Sequence, residues 1–239
     1  MSINSMFAGI KTVFVDLDDT IWWFTENSKL SLRHVFEMFG INDYCDYGTF
    51  DCIYHEKNKE LWQLYHYGKI SKDYLVTERF RYVFERVGYP ADMLEEAASE
   101  INAEYLYYLS TQPVAVPGAR EMLSYLSGKY DVNVLSNGFN GVQQRKLASS
   151  GLSKFIRKLV LSDDCGITKP LPGIFAYALE ICGATVESSV MIGDNYDADI
   201  CGAKNVGWRT IFFNKNGDSG TFGSADAVVC SLDEVLALL

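Results

Sequence analysis

The stretch Val13-Phe14-Val15-Asp16-Leu17-Asp18-Asp19-Thr20 joins a short apolar run to an acidic cluster. The β-branched and aromatic residues that precede Asp16 predict a strand buried in a parallel sheet. Open α/β sheets bind ligands just beyond the carboxyl ends of their strands. Alternation along an extended chain places Asp16 and Asp18 on the same side, where they repel unless a cation or a shared proton compensates. The stretch therefore predicts a functional edge of a sheet, and the alternative is an acidic turn after a strand.

The composition limits the classes of protein to consider. The chain has 239 residues, of which 48% are hydrophobic, and this length fits one large or two modest domains. The net charge is −10 and no basic stripe is visible, so we expect no bulk nucleic acid partner. An acidic protein that acts on an anionic substrate needs local positive charge, from a metal ion or a placed lysine.

We expect a cytoplasmic protein without a membrane partner. No apolar run approaches the length needed to cross a bilayer, and the N-terminus lacks the pattern of a signal peptide. The six cysteines are scattered without CxxC spacing and are typical of reduced thiols. The three histidines form no zinc pattern with them.

The segment 25–112 differs in pattern from its surroundings. Apolar residues recur at helical spacing near Leu32–Phe39 and Phe80–Val87. Ser71 resembles a helix N-cap, and Gly40, Gly68 and Gly88 resemble helix ends. We predict a four-helix domain inserted over residues 25–112.

Strand and helix patterns alternate after the insertion. Strands are predicted at 132–135, 156–161, 189–192, 208–213 and 227–230, and helices at 119–127, 140–150, 172–182, 197–205 and 232–239. Such alternation predicts a parallel, right-handed, doubly wound sheet. The fold expected is α/β, with a Rossmann-like core over residues 1–24 and 113–239 and the helical insertion over 25–112.

Polar groups follow three further predicted elements. Ser136-Asn137-Gly138 ends one strand, Lys169 stands before Pro170 and a helix, and Gly193 and Asp194 lead into Asp197 and Asp199. Taken singly, each has a structural alternative: a turn, a solvated loop lysine, or an acidic helix start. Their order in one α/β sheet instead predicts a nucleophile, anion donors and a divalent-cation site.

These motifs together resemble those of the haloacid dehalogenase (HAD) superfamily of hydrolases. The four motifs of that superfamily match Asp16–Thr20, Ser136-Asn137, Lys169, and Gly193–Asp199, in this order. The inserted helices resemble the helical cap of the superfamily. The resemblance implies an enzyme that hydrolyses small phosphate esters with Mg²⁺, through an aspartyl-phosphate.

The resemblance also implies roles for individual residues. Asp16 is the nucleophile, Asp18 the general acid and base, and Lys169 offsets negative charge. Mg²⁺ is expected on Asp16, Asp18 (through its backbone carbonyl) and Asp194. Asp199 completes the predicted metal site in or near the outer shell, with Asp197 as a further candidate there. The phosphate group is expected to contact Thr20, Ser136, Asn137, Gly138 and Lys169.

Asp18 separates the reactions known in this superfamily. An alkoxide leaving group needs a proton and a halide does not, so Asp18 favours a phosphatase over a dehalogenase. A phosphomutase, a sugar-phosphate or phosphoglycolate phosphatase, and a catalytically dead binding protein remain as alternatives. The oligomeric state is left open.

A closer resemblance is to the YjjG-type 5′-nucleotidase branch. It is carried by 137–144, by 61–70, and by Lys169-Pro170 with Ile174-Phe175. This branch implies nucleoside 5′-monophosphate substrates, with pyrimidines ahead of purines. Trp22 and Trp23 follow the nucleophile motif and are predicted to contact the substrate base, whereas Trp62 and Tyr65 are equally compatible with a helical core.

Overall fold

The computed structural model describes residues 6–239, and the chain divides into two compact units. One unit extends to Phe24 and resumes over Pro113–Leu239, and the other comprises Thr25–Gln112. Residues 1–5, which the sequence placed in the α/β core, lie outside the described residues.

The helical unit is built from four α-helices, the first of which begins at Phe24. They are α1 (Phe24–Met38), α2 (Tyr47–His66), α3 (Lys72–Val87) and α4 (Leu94–Thr111). The Ser71 hydroxyl accepts a hydrogen bond from Tyr74 N at 3.2 Å, so it caps α3 as predicted. Val35 and Val83, two of the periodic apolar residues, are fully buried.

The α/β unit contains a parallel sheet of six strands within residues 6–239. They are β1 (Thr12–Val15), β2 (Asp131–Ser136), β3 (Lys158–Leu161), β4 (Ser189–Gly193), β5 (Arg209–Phe213) and β6 (Ala227–Val229). Their order is β3-β2-β1-β4-β5-β6, which is the doubly wound order, with a reversal beside β1. The predicted fold class is confirmed.

Helices α5 (Ala119–Ser127), α6 (Val142–Ser149), α7 (Ser162–Cys165), α8 (Pro172–Cys182) and α9 (Gly202–Asn205) connect the strands. The helix predicted over 197–205 instead starts as a π-helical turn, Tyr196–Cys201. The Asn195 side chain accepts from Ala198 N, and Asn195 N donates to Asp199, and such side-chain bonds compete with regular helix bonds. The last predicted helix is a 3₁₀ helix, Leu232–Ala237.

The centre of the sheet fixes the functional edge. Phe14 packs on Trp208 with ring centroids 4.6 Å apart, and every residue of β1 and β4 is buried. Val15 pairs with Ile192, and Asp16 N then donates to Ile192 O at 2.9 Å. This register places the residues after β1 and after β4 side by side.

No helix between residues 6 and 239 combines the length and the apolar character needed to span a membrane. All six cysteines are free thiols.

Candidate active site

A buried lysine joins two carboxylates at the carboxyl edge of the sheet. Lys169 Nζ donates to Asp16 Oδ1 and to Asp199 Oδ1, each at 2.6 Å, and to Leu135 O at 2.7 Å. The Lys169 side chain is 2% exposed. Its three N–H donors are therefore all used inside the protein, and its orientation is fixed.

Asn137 holds the backbone of Lys169 from the end of β2. Lys169 N donates to Asn137 Oδ1 at 2.7 Å, and Asn137 Nδ2 donates to Lys169 O at 2.9 Å. Both bonds are buried, and the peptide bond from Lys169 to Pro170 is cis. The Asn137 side chain thus positions Lys169. The predicted contact of Asn137 with phosphate would have to be made by its backbone, and it stays a prediction.

Three carboxylates converge beside Lys169. One oxygen from each of Asp16, Asp194 and Asp199 lies within 4.8 Å of the others. Burial raises the pKa of Asp16 well above its ordinary value, and the neighbouring carboxylates add to this rise while Lys169 opposes it. Burial also raises the pKa of Asp194 to about 6, against the effect of Lys215. Burial lowers the pKa of Lys169, but Asp16 and Asp199 outweigh it and leave the pKa above its ordinary value.

The charges around this edge favour a divalent cation. The ion-paired residues at this edge include five carboxyl groups and three ammonium groups. The carboxyl groups are those of Asp16, Asp18, Asp19, Asp194 and Asp199, and the ammonium groups are those of Lys146, Lys169 and Lys215. Carboxylate oxygens are hard donors of the kind that Mg²⁺ prefers. The donor set at Asp16, Asp194 and Asp199 therefore fits Mg²⁺.

Asp194 is oriented by Thr20 and Lys215. Thr20 Oγ1 donates to Asp194 Oδ1, and Asp194 N donates to Thr20 Oγ1, both at 3.1 Å. Lys215 Nζ lies 3.0 Å from Asp194 Oδ2 and 3.1 Å from Asp19 Oδ2. Thr20 is fully buried and its hydroxyl hydrogen is used on Asp194. The prediction that Thr20 contacts phosphate is therefore replaced by a role in holding Asp194.

The Asp18 side chain is separate from the carboxylate cluster and has its own partners. Lys146 Nζ donates to Asp18 Oδ1 at 2.6 Å, and Gln143 Nε2 donates to Asp18 Oδ2 at 2.8 Å. Asp18 is 31% exposed whereas Lys146 is 4% exposed. A partly accessible carboxylate with both oxygens held by donors suits proton transfer to and from a bound molecule.

Ser136 and Gly138 are tied to the same glutamine. Ser136 Oγ accepts from Gly138 N at 3.1 Å and from Gln143 Nε2 at 2.8 Å, which leaves its hydroxyl hydrogen to donate. A Cβ on Gly138 would lie 2.0 Å from Gln143 Nε2. The sequence predicts that Gly138 contacts phosphate. In the structure its N–H donates to Ser136 instead, and its lack of a side chain leaves space for Gln143.

The two tryptophans after the nucleophile motif differ in burial. Trp22 is fully buried, and Lys146 Nζ lies 4.5 Å from its ring centroid. A fully buried ring offers no face to a base, so the predicted substrate contact of Trp22 is corrected to a packing role. Trp23 is partly exposed and stays a candidate. Asp197 is exposed and does not belong to the cluster of Asp16.

Sequence reasoning missed Lys146 and Lys215, and it noted Gln143 only as part of a matching stretch. Gln143 and Lys146 are three residues apart on α6, a spacing that places both on one helix face. This spacing could have indicated that the two residues act together, but polar residues on one face of a short helix are ordinarily exposed to solvent.

The chain is similar to several known proteins over most of its length. The profile of the haloacid dehalogenase-like hydrolase family matches residues 10–207. The pyrimidine 5′-nucleotidase YjjG of Escherichia coli K12 is 32% identical over 233 residues, which cover 95% of this chain and 96% of that protein. The pyrimidine 5′-nucleotidase PynA of Streptococcus pneumoniae R6 is 31% identical over 207 residues, which cover 85% and 84%.

A solved structure of the HAD-hydrolase YfnB of Bacillus subtilis superposes with a TM-score of 0.85. The two chains are 27% identical, and the match covers 96% of this chain and 98% of YfnB. That crystal form of YfnB is bound to magnesium and reveals interdomain movement in YfnB.

Proposed function

Because the chain belongs to the haloacid dehalogenase-like hydrolase family, we propose that it is a Mg²⁺-dependent phosphatase of nucleoside 5′-monophosphates. The observation that carries the proposal is the placement of Asp18, whose two oxygens are held by donors beside the cluster of Asp16, Asp194 and Asp199. A dehalogenase would have no use for this second carboxylate, since a halide leaves without a proton.

In the first half-reaction Asp16 attacks the phosphorus atom of the ester. A bond forms between an Asp16 oxygen and phosphorus, and the bond from phosphorus to the ester oxygen breaks. Asp18 in its protonated form gives its proton to that oxygen, so the nucleoside leaves as an alcohol.

In the second half-reaction water attacks the phosphorus atom of the aspartyl-phosphate. The Asp18 carboxylate takes a proton from this water as the bond to Asp16 breaks. Inorganic phosphate is released, Asp16 is restored as a carboxylate and Asp18 is again protonated, so the cycle balances.

Charge neutralisation is the largest contribution that the protein can make, because phosphate monoesters hydrolyse extremely slowly in water. Lys169 offsets the charge of Asp16, and the hydroxyl hydrogen of Ser136 is available to a phosphoryl oxygen. Mg²⁺, held by Asp16, Asp194 and Asp199 with the carbonyl of Asp18, supplies further positive charge when it is bound.

The choice of nucleotides rests on the relatives and on one aromatic ring. YjjG and PynA are both pyrimidine 5′-nucleotidases and match most of this chain. Trp23 is partly exposed, and a base can stack on such a ring for about 1–3 kcal/mol. We therefore expect pyrimidine nucleotides to be preferred over purine nucleotides.

The test is a substrate comparison with Mg²⁺ and with purified Asp16→Asn as the blank. We expect kcat/KM to be highest for dUMP, UMP or dTMP, when these are compared with AMP, glucose 6-phosphate, β-glucose 1-phosphate and phosphoglycolate. A sugar phosphate or phosphoglycolate that leads by tenfold, about 1.4 kcal/mol of transition-state binding, would replace the nucleotidase reading with one of a sugar-phosphate phosphatase or mutase.

A further inference from the structure

Helix α6 supplies both hydrogen-bond donors that hold the Asp18 carboxylate. Lys146 Nζ lies 2.6 Å from Asp18 Oδ1, and Gln143 Nε2 lies 2.8 Å from Asp18 Oδ2. We propose that Gln143 and Lys146 are positioning residues that orient Asp18 for proton transfer. The proposal rests on the phosphatase function above, because it gives Asp18 a proton to carry.

The burial of these two donors argues against an incidental surface contact. Gln143 is fully buried and the Lys146 side chain is 4% exposed. A buried ammonium group is unfavourable unless it is paired, and the pair partner here is Asp18. The rings of Trp22 and Phe24, with centroids 4.5 and 5.5 Å from Lys146 Nζ, complete its surroundings.

The position of Gln143 lowers the stability of the folded protein, because one of its polar atoms is buried without a partner in the described part of the chain. Within residues 6–239 its carbonyl oxygen Oε1 is buried without a hydrogen-bond partner. Its Nε2 group is directed to Asp18 and to Ser136, and the neighbouring position 138 must be glycine to leave it space. An unpaired buried carbonyl is unfavourable by about 1–3 kcal/mol, so folding alone does not favour this arrangement.

The two donors match the charge that appears on Asp18. When protonated Asp18 gives its proton to the ester oxygen, negative charge develops on the carboxylate, where Lys146 and Gln143 each donate to one oxygen. The same contacts restrict rotation of the carboxylate. Their effect should therefore be largest when the leaving oxygen needs a proton in order to leave.

The leaving group separates this role from a structural one. Nucleotides release an alkoxide that must be protonated, whereas 4-nitrophenyl phosphate releases a stabilised phenolate that leaves unaided. Since kcat/KM reports the steps up to the first irreversible one, it isolates phosphoryl transfer for both substrates. The variants are Lys146→Met and Gln143→Met, which keep side-chain length and remove the donor.

We expect kcat/KM for the nucleotide to fall about 10- to 100-fold in each variant, a part of the 10²–10⁴ that general acid–base catalysis supplies. With 4-nitrophenyl phosphate the fall should stay within about threefold for Lys146→Met. Gln143→Met also removes the bond to Ser136, so it should lower activity with both substrates, but more strongly with the nucleotide. Lys204→Met is the matched control, since it removes a Lys–Asp pair of the same 2.6 Å length, to Asp226. It should leave both values unchanged.

Equal losses with both substrates, or no loss with either, would overturn the positioning role. If Lys146→Met does not fold, as judged by circular dichroism, Gln143→Met provides the test. Its loss of kcat/KM with the nucleotide is then compared with its loss with 4-nitrophenyl phosphate. A wild-type protein with Mg²⁺ that hydrolyses neither substrate nor any other phosphate monoester would instead overturn the proposed function, and the inference with it.

Discussion

The Lys169 ammonium group lies 2.6 Å from Asp16 Oδ1, and both side chains are buried. This contact holds one carboxylate oxygen of Asp16 and leaves the other for reaction. Among residues 6–239 no hydrogen-bond donor lies on Asp16 Oδ2, so Oδ2 is the oxygen expected to attack phosphorus. Lys169 is itself fixed through Asn137, which makes the orientation of the nucleophile depend on two strands and one loop.

The division of roles between Asp16 and Asp18 can be tested by trapping the covalent intermediate. Asp16→Asn should form no phosphoenzyme and lose nearly all activity, because the amide is a poor nucleophile. Asp18→Asn should still be phosphorylated by a substrate with an activated leaving group, and should then hydrolyse the intermediate slowly. Mass spectrometry of the acid-quenched protein locates the phosphate, and its presence on any residue other than Asp16 would contradict the assignment.

Removal of the Asn137 side chain should lower both stability and turnover. Asn137→Ala leaves the buried N–H and C=O groups of Lys169 without their partners, at a cost of about 2–4 kcal/mol. Lys169 is then free to shift, so kcat should fall as well. Chemical denaturation and steady-state kinetics measure the two effects. The exposed Asn205→Ala, at the end of α9, should change stability by less than about 0.5 kcal/mol, and an equal effect at both positions would argue against the bracing of Lys169.

The edge of the sheet could be predicted because it follows from general geometry. Buried apolar runs predict parallel strands, and their carboxyl ends must share one edge. The sequence therefore predicts that Asp16 and Asp194 lie together, and the resemblance to the HAD motifs adds Lys169, although the three residues are far apart in the chain. The distances that bring them together, such as 2.6 Å from Lys169 to Asp16, required the structure.

The partners of Asp18 could not be predicted in the same way. Gln143 is 125 residues from Asp18 in sequence, and polar side chains on a short helix are ordinarily solvated. Trp22 was misassigned for a related reason, since nearness to the motif suggested nearness to substrate. The chain instead folds back after Asp19, which has φ of 61°, and Trp22 N donates to Leu17 O at 2.9 Å. The turn carries the ring into the core.

Without metal, the stability of the protein should fall as the pH rises through about 6. Burial raises the pKa of Asp194 from 3.8 to about 6 in the folded state; Lys215 opposes this rise, and Asp199 and Asp19 add to it. The folded state thus binds this proton more tightly than the unfolded chain does. The stabilising effect is complete below pH of about 4 and is lost above pH of about 6, with a size of up to about 3 kcal/mol.

Thermal unfolding of metal-free protein between pH 4 and pH 7 measures this effect. Asp194→Asn cannot titrate, so the difference in Tm between wild type and this variant should change across that range. Mg²⁺ competes with the proton for Asp194, so the rise in Tm on adding Mg²⁺ should be larger at pH 7 than at pH 5. A difference in Tm that does not depend on pH would show that Asp194 titrates in its ordinary range.

Replacement of Lys215 should change metal affinity and metal-free stability in opposite directions. The Lys215 ammonium lies 3.0 Å from Asp194 and 3.1 Å from Asp19, where it offsets carboxylate charge. A bound Mg²⁺ would be repelled by it and would compete with it for Asp194. Lys215→Met should therefore bind Mg²⁺ more tightly, by about fivefold for a change of ~1 kcal/mol, and should melt at a lower temperature without metal.

Calorimetric titration with Mg²⁺ and melting curves with and without the metal measure both changes in one set of samples. The matched control is Lys204→Met, which removes the 2.6 Å pair with Asp226 and should leave the Kd for Mg²⁺ unchanged. The direction of the change in Mg²⁺ affinity, taken with the direction of the change in Tm, distinguishes the possible roles of Lys215. Weaker Mg²⁺ binding in Lys215→Met would mean that the lysine shapes the carboxylate site for the metal, because loss of a competing charge can only strengthen the binding of a cation.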